Sequence, residues 1–282
     1  MPAVTTGNAR LASVPMGTTR PFPQQPAQPA QPVPLGRRPR PGRRRRYLKR
    51  AVIALGTVIV VLALLAGALW VITPSAGEAT ALAAAQARQH GIAYPGPSAP
   101  ENFAEPLIAT EDHRFYSEPG VDPLAVGRVV WAQVTGGTDQ GGATLEQQLA
   151  KLLYTPDETG LRAEVKQIVL AVKLNLKYSK QQILDMYGEA AYYGNGYYGL
   201  EAASCGYFGH PASQLTVAQG AMLAGVVNAP SVDDPVTNPV QARARLTHVI
   251  DRMVAVGYLT GAQGEQALAT PLGLAADTST SC

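Results

Sequence analysis

The sequence has only two cysteines, Cys205 and Cys282, among its 282 residues. Two thiols allow one disulfide but do not predict a zinc site, and the sequence leaves open whether they are bonded. The four histidines show no ligand spacing such as H-E-x-x-H, so no metal site is predicted. Runs of alternating apolar and polar residues are scarce, which argues against a β fold.

Acidic residues are absent from residues 1–50, which carry eleven Arg and Lys. The rest of the chain has twelve bases against all twenty acids, a net charge of −8. Ten prolines among the first 42 residues, with almost no large apolar side chains, predict a disordered cytoplasmic segment over 1–50. Its Arg-rich end is expected to lie against anionic lipid, and no nucleic-acid partner is predicted.

Charge is also absent from Ala51 to Ile72, a run of 22 residues. A helix needs about 20 such residues to cross a bilayer. Nine Arg and Lys between Arg37 and Arg50 precede the run, which places the N-terminus in the cytoplasm and the main domain outside. The RRRYLK stretch is similar to a twin-arginine export motif, but the apolar run exceeds the roughly 7–15 residues of a signal peptide. We therefore predict a transmembrane anchor over 51–73.

The remaining chain divides into a predicted linker over 74–101 with one short helix, a compact domain over 102–265 and a tail over 266–282. Apolar residues at spacings of three and four predict a mainly α fold. The predicted helices are LAVGRVVWAQV, TLEQQLAKLLY, LRAEVKQIVLAVKLNLKY, SKQQILDMYGEAAYY, LTVAQGAMLAGVV and PVQARARLTHVIDRMVAVGY.

A Gly-rich loop over 136–142 precedes one of these helices, and Thr144 with Gln147 has the spacing of a capping box. A capped helix start behind glycines can bind an anion, with Lys151 two turns along on a similar face. A mobile loop before an ordinary helix explains the same pattern. Further on, the positions of Lys166, Lys173, Lys177 and Lys180 form a basic stripe, which we interpret as a solvated face except at Lys166, where Arg162 adds a second cation.

Five blocks, in order, resemble the peptidoglycan glycosyltransferase domain, glycosyltransferase family 51, from about Asn102 to Tyr258. They are EDHRFYSEPG (111–120), GGATLEQQLAK (141–151), Arg162 to Leu174, Tyr178 to Gly209, and Arg245 to Met253. The resemblance implies a lysozyme-like helical domain that polymerises lipid II, with inversion and release of polyprenyl pyrophosphate.

The resemblance also implies roles for individual residues. Glu111 stands at the general-base position; read alone, Glu111 and Asp112 are equally typical of charge in the first turn of a helix. The expected substrate-binding residues are Arg114, Phe115, Thr144, Gln147, Gln148, Lys151, Arg162 and Lys166. No cofactor is required by the sequence, although a divalent cation at the pyrophosphate is an option.

The third block departs from the family, because a second catalytic Glu is replaced by Gln167. Two carboxylates are candidate substitutes: Glu164, one helical turn earlier, and Glu118, which stands where the first block usually has His. Glu111 acting alone is the third option, since a pyrophosphate leaving group has less need of an acid. A degenerate scaffold that binds lipid II is the main alternative to an enzyme, and a lysozyme-like hydrolase is a weaker one.

The motifs S-x-x-K and K-T-G are missing from the sequence. We therefore expect a monofunctional, single-pass membrane enzyme with an extracytoplasmic catalytic domain. Its expected partners are lipid II, the nascent glycan, the membrane and cross-linking transpeptidases.

Overall fold

A computed structural model describes residues 41–124, 135, 142–275 and 282. The chain divides into two compact units, Met1–Gly56 and Thr57–Cys282. The predicted disordered segment lies outside the described residues up to residue 40, but residues 41–50 are helical, so the prediction of disorder is wrong there. Most of the predicted helix LAVGRVVWAQV and of the loop over 136–142 also lies outside the described residues.

The first helix, α1, spans Pro41–Ile72. Within Arg46–Gln89 an 18-residue window reaches a mean hydropathy of 2.8, and none of it is buried inside the protein. Length and composition therefore make α1 a candidate membrane span, as predicted. Without a membrane, its exposed Val, Leu and Ile side chains would form a large apolar surface in contact with water.

The unit that begins at Thr57 continues almost entirely in helices, and this confirms the mainly α prediction. Among the described residues the only extended pairing is an isolated bridge between Tyr192 and Tyr198. Two 3₁₀ helices cover Ala76–Glu78 and Ala212–Gln214. The α-helices are α2 Ala79–Gln89, α3 Glu101–Glu111, α4 Leu145–Tyr154, α5 Leu161–Lys177, α6 Lys180–Ala190, α7 Leu200–Phe208, α8 Val217–Val226, α9 Pro239–Val256 and α10 Gly261–Ala269.

Local sequence explains where several helices begin. The predicted capping box at Thr144 and Gln147 is present at the start of α4. The same reciprocal bonds start α6, α8 and α10, where a Ser or Thr is followed three residues later by Gln. Helix α7 was not predicted, because almost every one of its side chains is buried and an apolar face cannot be distinguished in its sequence.

The core forms around the contact between α3 and α8. Phe103, Leu107 and Ile108 of α3 are buried there, and so is every residue of α8 after Val217. The segment expected to be a linker, 74–101, is partly structural as well, because Ala79 and Ala83 of α2 belong to this core. Cys205 and Cys282 form a disulfide.

The expectation that Lys173 belongs to a solvated stripe is wrong. Its ammonium donates to the backbone oxygens of Trp70, Thr73 and Pro74 at 2.7, 2.8 and 3.1 Å. The last carbonyls of a helix have no intrahelical partner, so Lys173 of α5 satisfies that of Trp70 and also binds two carbonyls that follow the end of α1. It also lies 5.1 Å from the centre of the Trp70 ring.

Lys173→Met is expected to lower the free energy of unfolding of the detergent-solubilised protein by about 1–3 kcal/mol, because charge-assisted bonds are lost while the aliphatic stem remains. Thermal or denaturant unfolding measures the change. Lys177→Met is the matched control, since Lys177 is exposed one turn later and no hydrogen bond from it to a described residue is recorded. An equal loss in both variants would contradict the capping role.

Candidate active site

A cleft of about 690 Å³ opens beside the ends of α3 and α6 and along α4 and α5. It brings together six of the residues singled out in the sequence, although they come from three helices. These are Glu111, Gln147, Gln148, Lys151, Glu164 and Gln167.

Glu111 is the last residue of α3, and Asp112 is its C-cap. The interpretation of this pair as first-turn helix charge is therefore wrong. A carboxylate at the C-terminal end of a helix gains nothing from the helix dipole, so Glu111 needs other partners. Arg245 donates to its Oε1 at 3.1 Å, and the Gln148 amide donates to its Oε2 at 3.2 Å.

Tyr187 fixes the orientation of the Gln148 amide. Its hydroxyl donates to Gln148 Oε1 at 2.9 Å, which leaves the amide nitrogen facing Glu111. Burial, with the charge of Glu111 nearby, raises the pKa of Tyr187 far above its usual range, so the hydroxyl remains a donor. The chain Tyr187–Gln148–Glu111 holds the carboxylate in one orientation at the wall of the cleft.

Arg245 was not identified as a site residue from the sequence. It opens the fifth resembling block, which was the available signal, but its partner lies 134 residues away. Its Nε donates to the Gly225 carbonyl of α8 at 3.2 Å, and Asp233 lies 3.9 Å away. The side chain of Arg245 is 17% exposed and that of Glu111 14%, so this ion pair is screened less than one on the surface.

Of the cations predicted to bind substrate, only Lys151 lines the cleft. Lys151 lines the cleft with an exposed side chain, and no ion pair to another described residue is recorded for it. Lys166 pairs with Glu158 at 2.8 Å, and Arg162 is exposed in the first turn of α5; neither lines the cleft. Arg114 pairs with Asp122 outside the cleft lining.

Two of the predicted substrate contacts face the interior instead. Phe115 is fully buried, with the Lys180 ammonium 4.4 Å from its ring centre, so it cannot touch a ligand in the cleft in this conformation. Thr144 is 2% exposed and donates to the Gly120 carbonyl while it caps α4. Lys180 also pairs with Glu146 at 2.6 Å, so it is not a solvated residue as the stripe suggested.

The structure separates the two candidate substitutes for the missing Glu. Glu164 lines the cleft beside Gln167, whose amide donates to Thr155 Oγ1 at 2.9 Å. Glu118 is 7% exposed and lies with Asp112 and Glu146 outside the cleft lining, so it does not approach the cleft as suggested. Burial and these neighbouring carboxylates raise the pKa of Glu118 to about 8.

Comparison with known proteins identifies the domain that carries this cleft. A sequence model of the Transglycosylase family matches residues 78–254. Penicillin-binding protein 1F of Bacillus subtilis is 39% identical over 177 residues, and penicillin-binding protein 2a of Streptococcus pneumoniae is 40% identical over 167. These matches cover 62% and 59% of this chain but only 25% and 22% of the relatives.

A protein of Cupriavidus necator, H16_A0665, provisionally named a transglycosylase, is 34% identical over 175 residues. That match covers 62% of this chain and 76% of the relative. The family match extends from the start of α2 almost to the end of α9 and includes every described residue of the cleft. The chain therefore belongs to the transglycosylase family and has its glycosyltransferase domain.

Proposed function

We propose that the protein is a membrane-anchored, monofunctional peptidoglycan glycosyltransferase that polymerises lipid II into glycan strands. The observation that carries the proposal is the setting of Glu111. Its carboxylate lies at the wall of the cleft and is oriented by Arg245 at 3.1 Å and Gln148 at 3.2 Å. A base with fixed orientation and access to a ligand is what hydroxyl activation requires.

In the proposed reaction the growing glycan, carrying polyprenyl pyrophosphate at C1, is the donor. The 4-hydroxyl of the incoming lipid II attacks C1, and Glu111 accepts the hydroxyl proton as the new C–O bond forms. The C1–O bond to pyrophosphate breaks, its electron pair leaves with the phosphate oxygen, and the configuration at C1 inverts. Arg245 and Gln148 orient Glu111 before the transfer.

The phosphate groups are proposed to lie along the side of the cleft formed by α4 and α5. Lys151 is the first contact, because its ammonium is exposed on the cleft without a competing carboxylate among the described residues. Arg162, exposed in the first turn of the helix that also carries Glu164, is the second proposed contact, whereas Lys166 would first have to leave Glu158. Arg114 is left out, because Asp122 engages its guanidinium.

A divalent cation at the pyrophosphate fits these residues poorly. Of the described carboxylates that line the cleft, Glu111 is paired with Arg245 and Glu158 with Lys166. Glu164 alone offers no recorded ion pair, and one carboxylate is too few to hold a metal ion without the phosphates of the substrate. We therefore derive no step through a metal in the cleft and assign the phosphate charge to the cationic side chains.

Glu164 is proposed to replace the second family carboxylate. It lies one turn before Gln167 on α5, and both side chains line the cleft. Gln167 cannot supply a negative charge, and its amide is engaged with Thr155. A carboxylate displaced by one helical turn faces nearly the same volume, because residues three apart share a helix face.

Glu164→Gln is expected to slow lipid II polymerisation by roughly tenfold or more, because the second carboxylate is lost. Adding Gln167→Glu to that variant is expected to recover most of the rate, since Thr155 can donate to the new carboxylate. Initial rates with labelled lipid II measure both effects. If Glu164→Gln polymerises as fast as the wild type, Glu111 acts without a second carboxylate.

The decisive test of the function is incubation of the purified full chain with lipid II and Mg²⁺ in detergent, followed by gel separation of glycan chains. Glycan polymer supports the enzyme. Lipid II binding without polymer would instead favour the alternative that Gln167 suggests, a degenerate scaffold of the cell-wall synthesis machinery.

Orientation and partners follow from the same proposal. The nine cations between Arg37 and Arg50 support an orientation with the N-terminus in the cytoplasm and the cleft on the outer face, where lipid II would be polymerised. New strands require cross-linking, so transpeptidases are the proposed protein partners. Labelling of an introduced cysteine at exposed Ser98 of intact cells by a membrane-impermeant reagent tests the orientation.

A further inference from the structure

Three buried carboxylates meet beneath the loop that follows α3. Asp112 caps α3, Glu118 lies in the loop, and Glu146 is in the first turn of α4. One oxygen of each lies within 4.8 Å of an oxygen of the other two. Their exposures are 8%, 7% and 0%, so the group is closed off from bulk water.

The three carboxylates have too few hydrogen-bond donors around them. Both oxygens of Glu118 and Oε2 of Glu146 are buried and have no hydrogen-bond partner among the described residues. Asp112 does have a hydrogen-bond donor, because the Leu145 amide at the start of α4 donates to its Oδ2 at 3.0 Å. Buried carboxylates in native proteins are paired or coordinate metals, so the free oxygens of Glu118 require an explanation.

The charges around the group do not balance. Lys180 is the cation recorded in contact with it, donating to Glu146 Oε1 at 2.6 Å and to the Glu118 backbone oxygen at 3.0 Å. When all three carboxylates are ionised, the one ammonium leaves two negative charges unbalanced. A single divalent cation would cancel them.

We propose that Asp112, Glu118 and Glu146 bind one divalent cation of the oxygen-seeking type, with calcium the preferred ion. The ligands are all oxygens, which disfavours zinc. Magnesium usually retains several waters, whereas calcium accepts a shell of protein oxygens and tolerates irregular geometry, and this buried group has little contact with solvent. The cation joins the end of α3 to the start of α4.

This site is distinct from any metal at the pyrophosphate, because none of its three carboxylates lines the cleft. Its role is to position the neighbouring residues. Asp112 follows Glu111 directly, and Glu146 lies two residues before Gln148, so a bound ion would fix both members of the Glu111–Gln148 pair. The inference does not depend on the proposed reaction, because ion binding is measured without lipid II.

The competing occupant is a proton. A protonated Glu118 can donate to Asp112 and would remove one negative charge without any ion. The two occupants can be distinguished by experiment. If a proton occupies the site, neither calcium nor a chelator should change the unfolding midpoint.

The test is calorimetric titration of the EDTA-treated, dialysed full chain in detergent with CaCl₂, and separately with MgCl₂. We expect one calcium ion per chain and weaker binding of magnesium. At a free calcium concentration about a hundred times Kd, the unfolding midpoint should rise by roughly 5–10 °C over the EDTA-treated protein.

Glu118→Gln should abolish the calcium-dependent rise. In EDTA it should unfold at a higher temperature than the wild type, because Gln neither buries a charge nor has to take up a proton on folding. Glu118→His is a second variant, since His usually stands at this position in the resembling family. It should lose the calcium-dependent rise as well. Glu265→Gln, which removes an exposed acid from α10, should keep the full rise. Absence of calcium binding to the wild type, or an equal rise in Glu118→Gln, would overturn the proposal.

Discussion

Exchanging Glu111 for Gln is expected to reduce lipid II polymerisation by about 10²–10⁴-fold, while the domain stays folded. Gln has the shape of Glu but cannot accept the proton of the attacking hydroxyl. The loss should appear in the rate of the chemical step rather than in lipid II binding, because the phosphate contacts proposed for Lys151 are untouched.

Folding should survive the exchange because the Arg245 side chain keeps other partners. Its Nε still donates to the Gly225 carbonyl at 3.2 Å, with Asp233 3.9 Å away. The new side chain can accept a hydrogen bond from Arg245 through its amide oxygen. Circular dichroism and thermal unfolding of the variant test this part of the expectation.

Glu265→Gln is the control for Glu111→Gln, because it makes the same chemical change at an exposed position of α10. Its polymerisation rate should match that of the wild type. A folded Glu111→Gln protein that polymerises lipid II at the wild-type rate would show that Glu111 is not the base.

Gly220→Ala is expected to lower the free energy of unfolding by about 3 kcal/mol or more. This is at or above the largest loss that an extra methyl group in a packed core usually causes. A Cβ atom at Gly220 of α8 would overlap with the backbone carbonyl of Asn102 in the first turn of α3. Backbone atoms cannot rotate away as a flexible side chain can, so the two helices would have to separate.

Pro106 explains why this close approach occurs at Asn102. A proline in a helix has no N–H to donate to the carbonyl four residues earlier, and for Pro106 that carbonyl belongs to Asn102. The Asn102 oxygen is therefore free of its intrahelical bond and faces α8. Because α3 also carries Glu111 at its other end, a Gly220→Ala protein that still folds is expected to lose polymerisation activity.

Gly261→Ala provides the matched control for the Gly220 variant. No atom lies within 4 Å of a Cβ built at Gly261, the first residue of α10. Its free energy of unfolding should stay within about 0.5 kcal/mol of the wild type. Equal denaturation midpoints for Gly220→Ala and Gly261→Ala would contradict the close packing of α3 and α8.

Features that depend on neighbours in the chain could be predicted from the sequence. The charge-free run from Ala51 to Ile72 identified the candidate span, since crossing a bilayer requires only length and apolarity. The capping box at Thr144 was predicted because its two bonds join residues three apart. The five ordered blocks identified the family and drew attention to Glu111.

The sequence by itself therefore determined the helical class, the candidate membrane span and the family. Only the tertiary structure decided which charges meet. Arg245 joins Glu111 across 134 residues, and Lys173 reaches Trp70 across 103, because the packing of helices sets such pairs and local spacing does not. The structure also placed Glu118 in a buried acidic group and Glu164 on the cleft, since burial is a property of the folded domain and not of a motif.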